Sequence, residues 1–214
     1  MNDKDFDEKS AKNWAQAIES QEISKRDEDF YPKINEWLDK SNSKSILDLG
    51  CGQGICSKKL NLGNRDYYGV DPSPYLINRA KELYSGLKKR FVLGNAYSLP
   101  FQEKEFDSVF SIAVWHLLED LDQASSELSR VLNENGSFLI ITANSKCQKE
   151  WTSAYDHVEL DGSKIIGMDA DSVIQDTFYL RSEDGLVKSL ARFGLEVTTK
   201  ENIRIWTLIS GLKK

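Results

Sequence analysis

The chain is 214 residues long, 40% hydrophobic and 29% charged, with a net charge of −6; these values fit one soluble domain with short extensions and a substantial core. The acidic balance weighs against a nucleic-acid backbone as the main partner. No apolar run approaches the roughly 18 residues of a membrane span, and Met1-Asn2-Asp3-Lys4-Asp5 lacks the basic-then-apolar layout of a signal peptide, which leaves the cytoplasm as the expected compartment.

Residues 1–43 hold seven basic and eleven acidic side chains, and read as a helical extension or lid. Residues 1–10 are polar and frayed. Trp14, Ala15 and Ile18 mark a short amphipathic helix, and Phe30, Ile34, Trp37 and Leu38 repeat at helical spacing. Ser41-Asn42-Ser43 breaks that pattern, and the main domain, 44–214, opens on a buried strand from Lys44 to Leu49. A short helix follows from Ile55 to Leu62, ended by Gly63-Asn64. Asp66 to Val70 is the second strand. Pro72 and Pro74 open a helix whose stripe is Leu76, Ala80, Leu83, Tyr84 and Leu87. Arg90 to Leu93 and Phe106 to Ile112 are strands. Leu121, Ala124, Leu128 and Leu132 mark a further helix, and Asn135-Gly136 turns the chain into a fifth strand, Ser137 to Thr142.

This alternation predicts an α/β fold, doubly wound, with a mostly parallel seven-stranded sheet and helices on both faces. Ligands of such sheets bind at the carboxyl ends of the strands, where the strand order reverses. Residues 144–181 break the alternation. Tyr155 to Leu160, Asp161-Gly162 and Lys164-Ile165-Ile166 read as a β-hairpin insertion overhanging the ligand edge. Ser182 to Phe193 is a helix stopped by Gly194. Leu195 to Thr199 and Ile203 to Ser210 lie close enough in sequence to pair antiparallel, giving the sheet its antiparallel last strand.

The most informative stretch is Ile46-Leu47-Asp48-Leu49-Gly50-Cys51-Gly52-Gln53-Gly54. A strand that stops in a glycine turn and restarts as a helix lets a ligand approach bare backbone. Asp71, at the end of the second strand, is placed either to accept hydrogen bonds from ribose hydroxyls or to cap the helix that opens at Pro72. Cys51, Cys56 and Cys147 make an odd set without framework spacing and read as reduced thiols. With only His116 and His157, no zinc-type ligand cluster is legible, and no metal is expected.

Five motifs in order now carry a resemblance. After the glycine run and Asp71 come Gly94-Asn95-Ala96-Tyr97-Ser98-Leu99-Pro100-Phe101, then Glu105 to Leu117 around the fourth strand, then Val131 to Ile140 with its Asn135-Gly136 turn. Together they resemble the class I, Rossmann-like, S-adenosylmethionine-dependent methyltransferases, strongly over about 44–143 and more loosely over 182–210. The resemblance implies S-adenosylmethionine as cofactor and S-adenosylhomocysteine as product. It implies a cofactor site built from Asp48, Gly50, Cys51, Gly52, Gly54, Asp71, Pro72, Asn95, Ala96, Ser111 and Ile112. Asp48 would help hold the cofactor's ammonium, and the backbone near Ser111 and Ile112 would meet its methionine part. Asn95 stands where the family often has aspartate; its amide oxygen can accept from the adenine amino group and its NH2 can donate to a ring nitrogen. His116 sits where the family often has a histidine and is the candidate general base, or else a wall of the site; His157 in the hairpin is a second candidate. Arg26 is a candidate clamp for the cofactor carboxylate, or else a surface arginine paired with acids.

The expected activity is methyl transfer to oxygen or nitrogen of a small-molecule acceptor, with no nucleic acid and no membrane as partner. The turn Ser111-Ile112-Ala113-Val114 is not the Asn/Asp-Pro-Pro-aromatic signature of amino-methylating DNA enzymes. No Pro-Cys pair offers the nucleophile of cytosine-carbon enzymes. Trp14, Trp151, Tyr155, Phe178 and Tyr179 are candidate walls of an apolar pocket. Two alternatives stand beside this: a non-catalytic S-adenosylmethionine-binding module, and an NAD(P)-dependent oxidoreductase. The latter wants G-x-G-x-x-G, whereas here the third glycine comes one residue early, before Ile55.

Overall fold

The computed structural model of the chain describes residues 8–19, 25–84, 86, 90–153, 155–168 and 175–214. Residues 1–7 and Leu87, for which fraying and a place in a helical stripe were expected, lie outside them. Seven strands form one sheet: β1 (Ser45–Leu49), β2 (Asp66–Asp71), β3 (Phe91–Leu93), β4 (Phe106–Ile112), β5 (Leu132–Ala143), β9 (Leu195–Ile203) and β10 (Trp206–Lys213). Their order is β3-β2-β1-β4-β5-β10-β9. The first five run parallel, while β10 lies antiparallel to both of its neighbours. Crossover helices make the parallel pairs possible, because adjacent parallel strands cannot be joined by a tight turn. The order reverses between β1 and β4, so the crevice for a ligand opens beyond the end of β1.

Alternation along β1 assigns its side chains to two layers. Ile46 packs with Ile34 and Leu38 of α3 (Tyr31–Ser41), Cys56 of α4 (Cys56–Lys59), and Ile77 and Ala80 of α5 (Pro74–Leu83). Leu47 and Leu49 pack with Ala124 and Leu128 of α6 (Leu121–Val131) and with Leu186 and Leu190 of α8 (Glu183–Arg192). Both sheet faces are thereby covered, as expected of a doubly wound fold.

The short helices before the sheet cross its ligand edge. Α1 (Glu8–Glu19) packs on α5 through Ala11, Ala15 and Leu76. Α2 (Arg26–Asp29) is tied to the β9–β10 turn by Arg204 Nε donating to Asp29 at 2.7 Å, and Phe30 stacks edge-on against Trp206 with ring centroids 5.5 Å apart.

Three expectations are corrected and a fourth is extended. The helix read over Ile55 to Leu62 is the single turn α4; Leu60 is already extended, and the Asn61 amide donates to Asn35 Oδ1 of α3 at 2.8 Å instead of continuing a helix. The helix after β2 is capped by Ser73, whose Oγ accepts from the Leu76 amide, and not by Asp71. The fifth strand begins at Leu132, before its expected turn: Leu132 pairs with Phe106, and Asn135 takes a left-handed φ of 61° inside an irregularity that restores register at Ser137. The hairpin of the insertion is present as β6 (His157–Asp161) and β7 (Lys164–Met168), and a third antiparallel strand, β8 (Gln175–Tyr179), extends it to a three-stranded sheet. Its buried side holds Ile165, Phe178 and Leu180 against Ala143 at the end of β5, so the third strand completes an apolar face that two strands would leave half covered.

Candidate functional site

All three glycines of the run have positive φ, at 79° for Gly50, 54° for Gly52 and 77° for Gly54. A Cβ on Gly50 would stand 2.2 Å from Val114 Cγ2, and one on Gly54 2.6 Å from the Phe91 ring; at Gly52 the nearest atom is Trp14 Nε1 at 3.8 Å. Gly50 and Gly54 are thus demanded by packing as well as by backbone conformation. Gly52 is demanded by conformation alone, and its surface side is covered only by an indole. Ala113, a non-glycine with φ of 62°, ends β4 beside this turn, a strained backbone position of the kind that collects at ligand sites.

Asp71, buried at the end of β2, accepts from the Gly52 amide at 2.9 Å and the Ser73 amide at 2.9 Å. Burial raises its pKa to about 6, against the pull of those two N–H groups. Each oxygen keeps a second lone pair. Asp48 is buried under the turn, where Tyr67 Oη donates to it at 2.5 Å. Desolvation raises its pKa to about 7, opposed by Tyr67, by Cys56 and by the charge of Arg26. The half-buried Arg26 lays its guanidinium over the Trp14 ring, 5.4 Å from the centroid. Gln53 secures α1 in this position by donating from Nε2 to the Ala15 carbonyl at 3.0 Å.

After β3, Asn95 Oδ1 accepts from the Tyr97 amide at 2.9 Å and from the Ser98 amide at 3.0 Å. The oxygen is committed to its own loop, which leaves the NH2 for a ligand. Ala96 is buried beside it, and Pro72 is exposed at the mouth. Ser111 and Ile112 are buried in β4, with Ser111 Oγ donating to the Leu49 carbonyl at 2.8 Å, so only their backbone is available. Cys51 and Cys56 are buried free thiols, raised in pKa chiefly by burial.

His116 follows β4 in the 3-10 turn Trp115–Leu117. It is buried, and burial lowers its pKa to about 3. Its ring lies 5.6 Å from that of Trp151 and 5.8 Å from that of Trp206, and Nδ1 stands 3.5 Å from Thr142 Oγ1. A nitrogen of that pKa is a poor base, so its proximity to the strand ends does not by itself make it a proton acceptor. Trp151 and Phe178 extend the same aromatic group at 6.1 Å, and Tyr155 meets Phe178 at 6.0 Å. Trp14 lies apart from them over Gly52, and Tyr179 stacks under Arg181 at 4.3 Å. His157 is exposed on β6. Tyr67 and Trp206 were not read as site residues in sequence; the tertiary pairing brings Tyr67 to Asp48 and Trp206 to His116. A cleft of about 710 Å³ between α6 and α8, lined by Tyr97, Arg181 and Arg192 among others, contains none of the glycine-run residues. Among the described residues there is no cluster of three or more potential metal ligands, and no helix long and apolar enough to cross a membrane.

A family model described as a methyltransferase domain matches residues 47–140, from β1 into β5. An uncharacterised methyltransferase of Schizosaccharomyces pombe is 30% identical over 209 residues, covering 86% of this chain and 73% of that protein. A fatty-acid O-methyltransferase of Mycolicibacterium smegmatis is 33% identical over 52% of this chain and 42% of its own length. Several other curated relatives are likewise spanned over less than half their length. Among solved structures, a protein of Pyrococcus horikoshii superposes with a TM-score of 0.73 at 22% identity, covering 98% of this chain and 94% of that one. The glycine turn and the carboxylate at the end of β2 lie within the residues that the family model matches. The chain belongs to the class I S-adenosylmethionine-dependent methyltransferases.

Proposed function

We propose that the protein transfers the methyl group of S-adenosylmethionine to an oxygen or nitrogen of a small-molecule acceptor. The observation that carries this reading is the Gly50-Cys51-Gly52-Gln53-Gly54 turn at the strand-order reversal, with Gly52 N–H held by Asp71. In this reading the free lone pairs of Asp71 take the ribose hydroxyls and the Asn95 NH2 takes an adenine ring nitrogen. Gly50 and Gly52 expose backbone to the methionine part, Asp48 helps hold the ammonium directly or through water, and Arg26 stacked on Trp14 takes the carboxylate. Helices α1 to α3 act as a lid over this end. The cofactor brings an already activated methyl group, so the protein's contribution is alignment and exclusion of water.

The relative named for O-methylation of fatty acids supports an oxygen acceptor. The low basicity of His116 supports an acceptor whose nucleophile needs no deprotonation in the site. The same observation supports a second reading, a module that binds the cofactor without turnover. A nicotinamide enzyme is disfavoured by the antiparallel β10.

Calorimetry with S-adenosylhomocysteine and with NADPH tests the cofactor. Binding of the first alone is expected; binding of NADPH alone would overturn the reading. Loss of the methyl group from labelled S-adenosylmethionine in the presence of a carboxylate or phenol panel separates enzyme from binding module.

A further inference from the structure

Behind His116 the polar groups do not end at Thr142. Thr142 of β5 stands directly opposite Thr207 of β10 in the antiparallel ladder, so both side chains leave the same face of the sheet. Thr207 Oγ1 is 3.4 Å from Glu183 Oε1 at the start of α8 and 3.3 Å from Asn202 Oδ1. A polar seam therefore runs from the imidazole, across two strands, to a carboxylate near the surface. Beside it is a cavity of about 20 Å³, lined by Trp115, His116, Thr142, Glu183 and Thr207 among others. Trp115 is buried, and its Nε1–H has no hydrogen-bond acceptor among the described residues. A buried donor without a partner costs roughly 1–3 kcal/mol. A polar cavity above about 10–15 Å³ is large enough for one water.

We infer that this cavity binds one internal water, which accepts from Trp115 Nε1 and donates to Thr142 Oγ1 and Thr207 Oγ1, and that Thr142 in turn donates to His116 Nδ1. Each hydroxyl then has a consistent role. Thr207 accepts from the water and donates to Glu183 or Asn202; Thr142 accepts from the water and donates to the imidazole. The ring is fixed in one tautomer, with its proton on Nε2, the nitrogen remote from Thr142. Thr142 is thus a positioning residue, and His116 offers the aromatic cluster of Trp151 and Trp206 a hydrogen-bond donor instead of a base. An imidazole that burial keeps uncharged suits that role. The consequence for the acceptor rests on the methyl-transfer reading: the acceptor would present a lone pair, such as a carboxylate or carbonyl oxygen, to Nε2–H.

Nitrogen-detected NMR of the full-length protein tests the seam without any substrate, since the chain has only two histidines. A His116 protonated on Nε2 with a hydrogen-bonded Nδ1 is expected. T142V should move the Nδ1 resonance toward an unbonded pyridine-type nitrogen, and T142S should restore it. A wild-type His116 protonated on Nδ1, or a T142V spectrum unchanged at that nitrogen, overturns the pinning. A cross-peak from a long-lived water to the Trp115 indole proton is expected and should vanish in T207V; its absence in the wild type overturns the water. S-adenosylhomocysteine titration of the same samples is independent. If the seam behaves as described and the cofactor product does not bind, the methyl-transfer reading fails and the seam stands.

Discussion

Alanine at each glycine of the run separates packing from ligand approach. A left-handed φ costs a non-glycine residue about 1–2 kcal/mol, and this applies at Gly50, Gly52 and Gly54 alike. At Gly50 the new methyl would stand 2.2 Å from Val114 Cγ2, and at Gly54 2.6 Å from the Phe91 ring, adding about 1–3 kcal/mol of overpacking. Gly52→Ala meets nothing nearer than 3.8 Å. For a chain of this size 1 kcal/mol moves the melting temperature by about 2–4 °C. Gly52→Ala is therefore expected to melt about 2–8 °C lower and the other two variants about 4–20 °C lower. Binding should invert that order of severity, because Gly52→Ala loses little stability yet, in the proposed site, carries a methyl where the cofactor would meet backbone. Gly52→Ala should weaken S-adenosylhomocysteine at least about tenfold, or 1.4 kcal/mol. Val114→Ala should recover part of the Gly50→Ala stability loss, because it removes the clashing methyl; this is a coupling that a double-mutant cycle reads directly. Melting by circular dichroism and calorimetry on the same samples decide it. Wild-type affinity in Gly52→Ala would mean that the ligand does not approach this backbone, and a melting loss equal to that of Gly50→Ala would refute the packing argument.

The carboxylates add a pH dependence. Burial raises Asp48 from 3.8 to about 7 and Asp71 from 3.8 to about 6, so the native ligand-free chain holds protons that the unfolded chain has released. Its stability should fall as pH rises from about 4 to about 7, and Asp48→Asn should flatten that slope. A cationic ligand favours the ionised carboxylates, so S-adenosylmethionine affinity should climb over the same interval, with proton release seen as a buffer-dependent binding enthalpy. Asp71→Asn leaves one of two backbone donors facing an NH2 group, which costs about 1–3 kcal/mol and appears as a lower melting temperature together with weaker binding. Arg26→Ala should weaken S-adenosylhomocysteine roughly tenfold but leave 5′-methylthioadenosine, which lacks the amino acid, unchanged; equal losses for both ligands would remove Arg26 from the carboxylate.

What the sequence made legible is what chain-local chemistry specifies. Three glycines in five residues, an apolar run before them and a carboxylate at the end of the next strand follow from one β-α-β unit, and the five-strand alternation follows from periodicity. The misreadings share a cause: each depended on a partner far along the chain. The helix after the glycine run stops after one turn because Asn35 captures the Asn61 amide. The insertion has a third strand because its apolar underside must cover Ala143. Asp48 is desolvated under the turn and meets Tyr67 only because the β1–β2 register brings that hydroxyl against it, and Thr142 meets Thr207 only because β10 returns antiparallel between β5 and β9. His116 shows the consequence for function. Its residue type and position suggested a base, yet the protonation chemistry of a histidine is set by its surroundings. Those surroundings are two tryptophans, one from α7 (Gln148–Thr152) and one from the last strand. With burial holding it neutral and Thr142 beside Nδ1, the ring is, in the proposed reading, suited to orienting an acceptor and not to deprotonating one, and that reading passes the demand for reactivity to the acceptor itself.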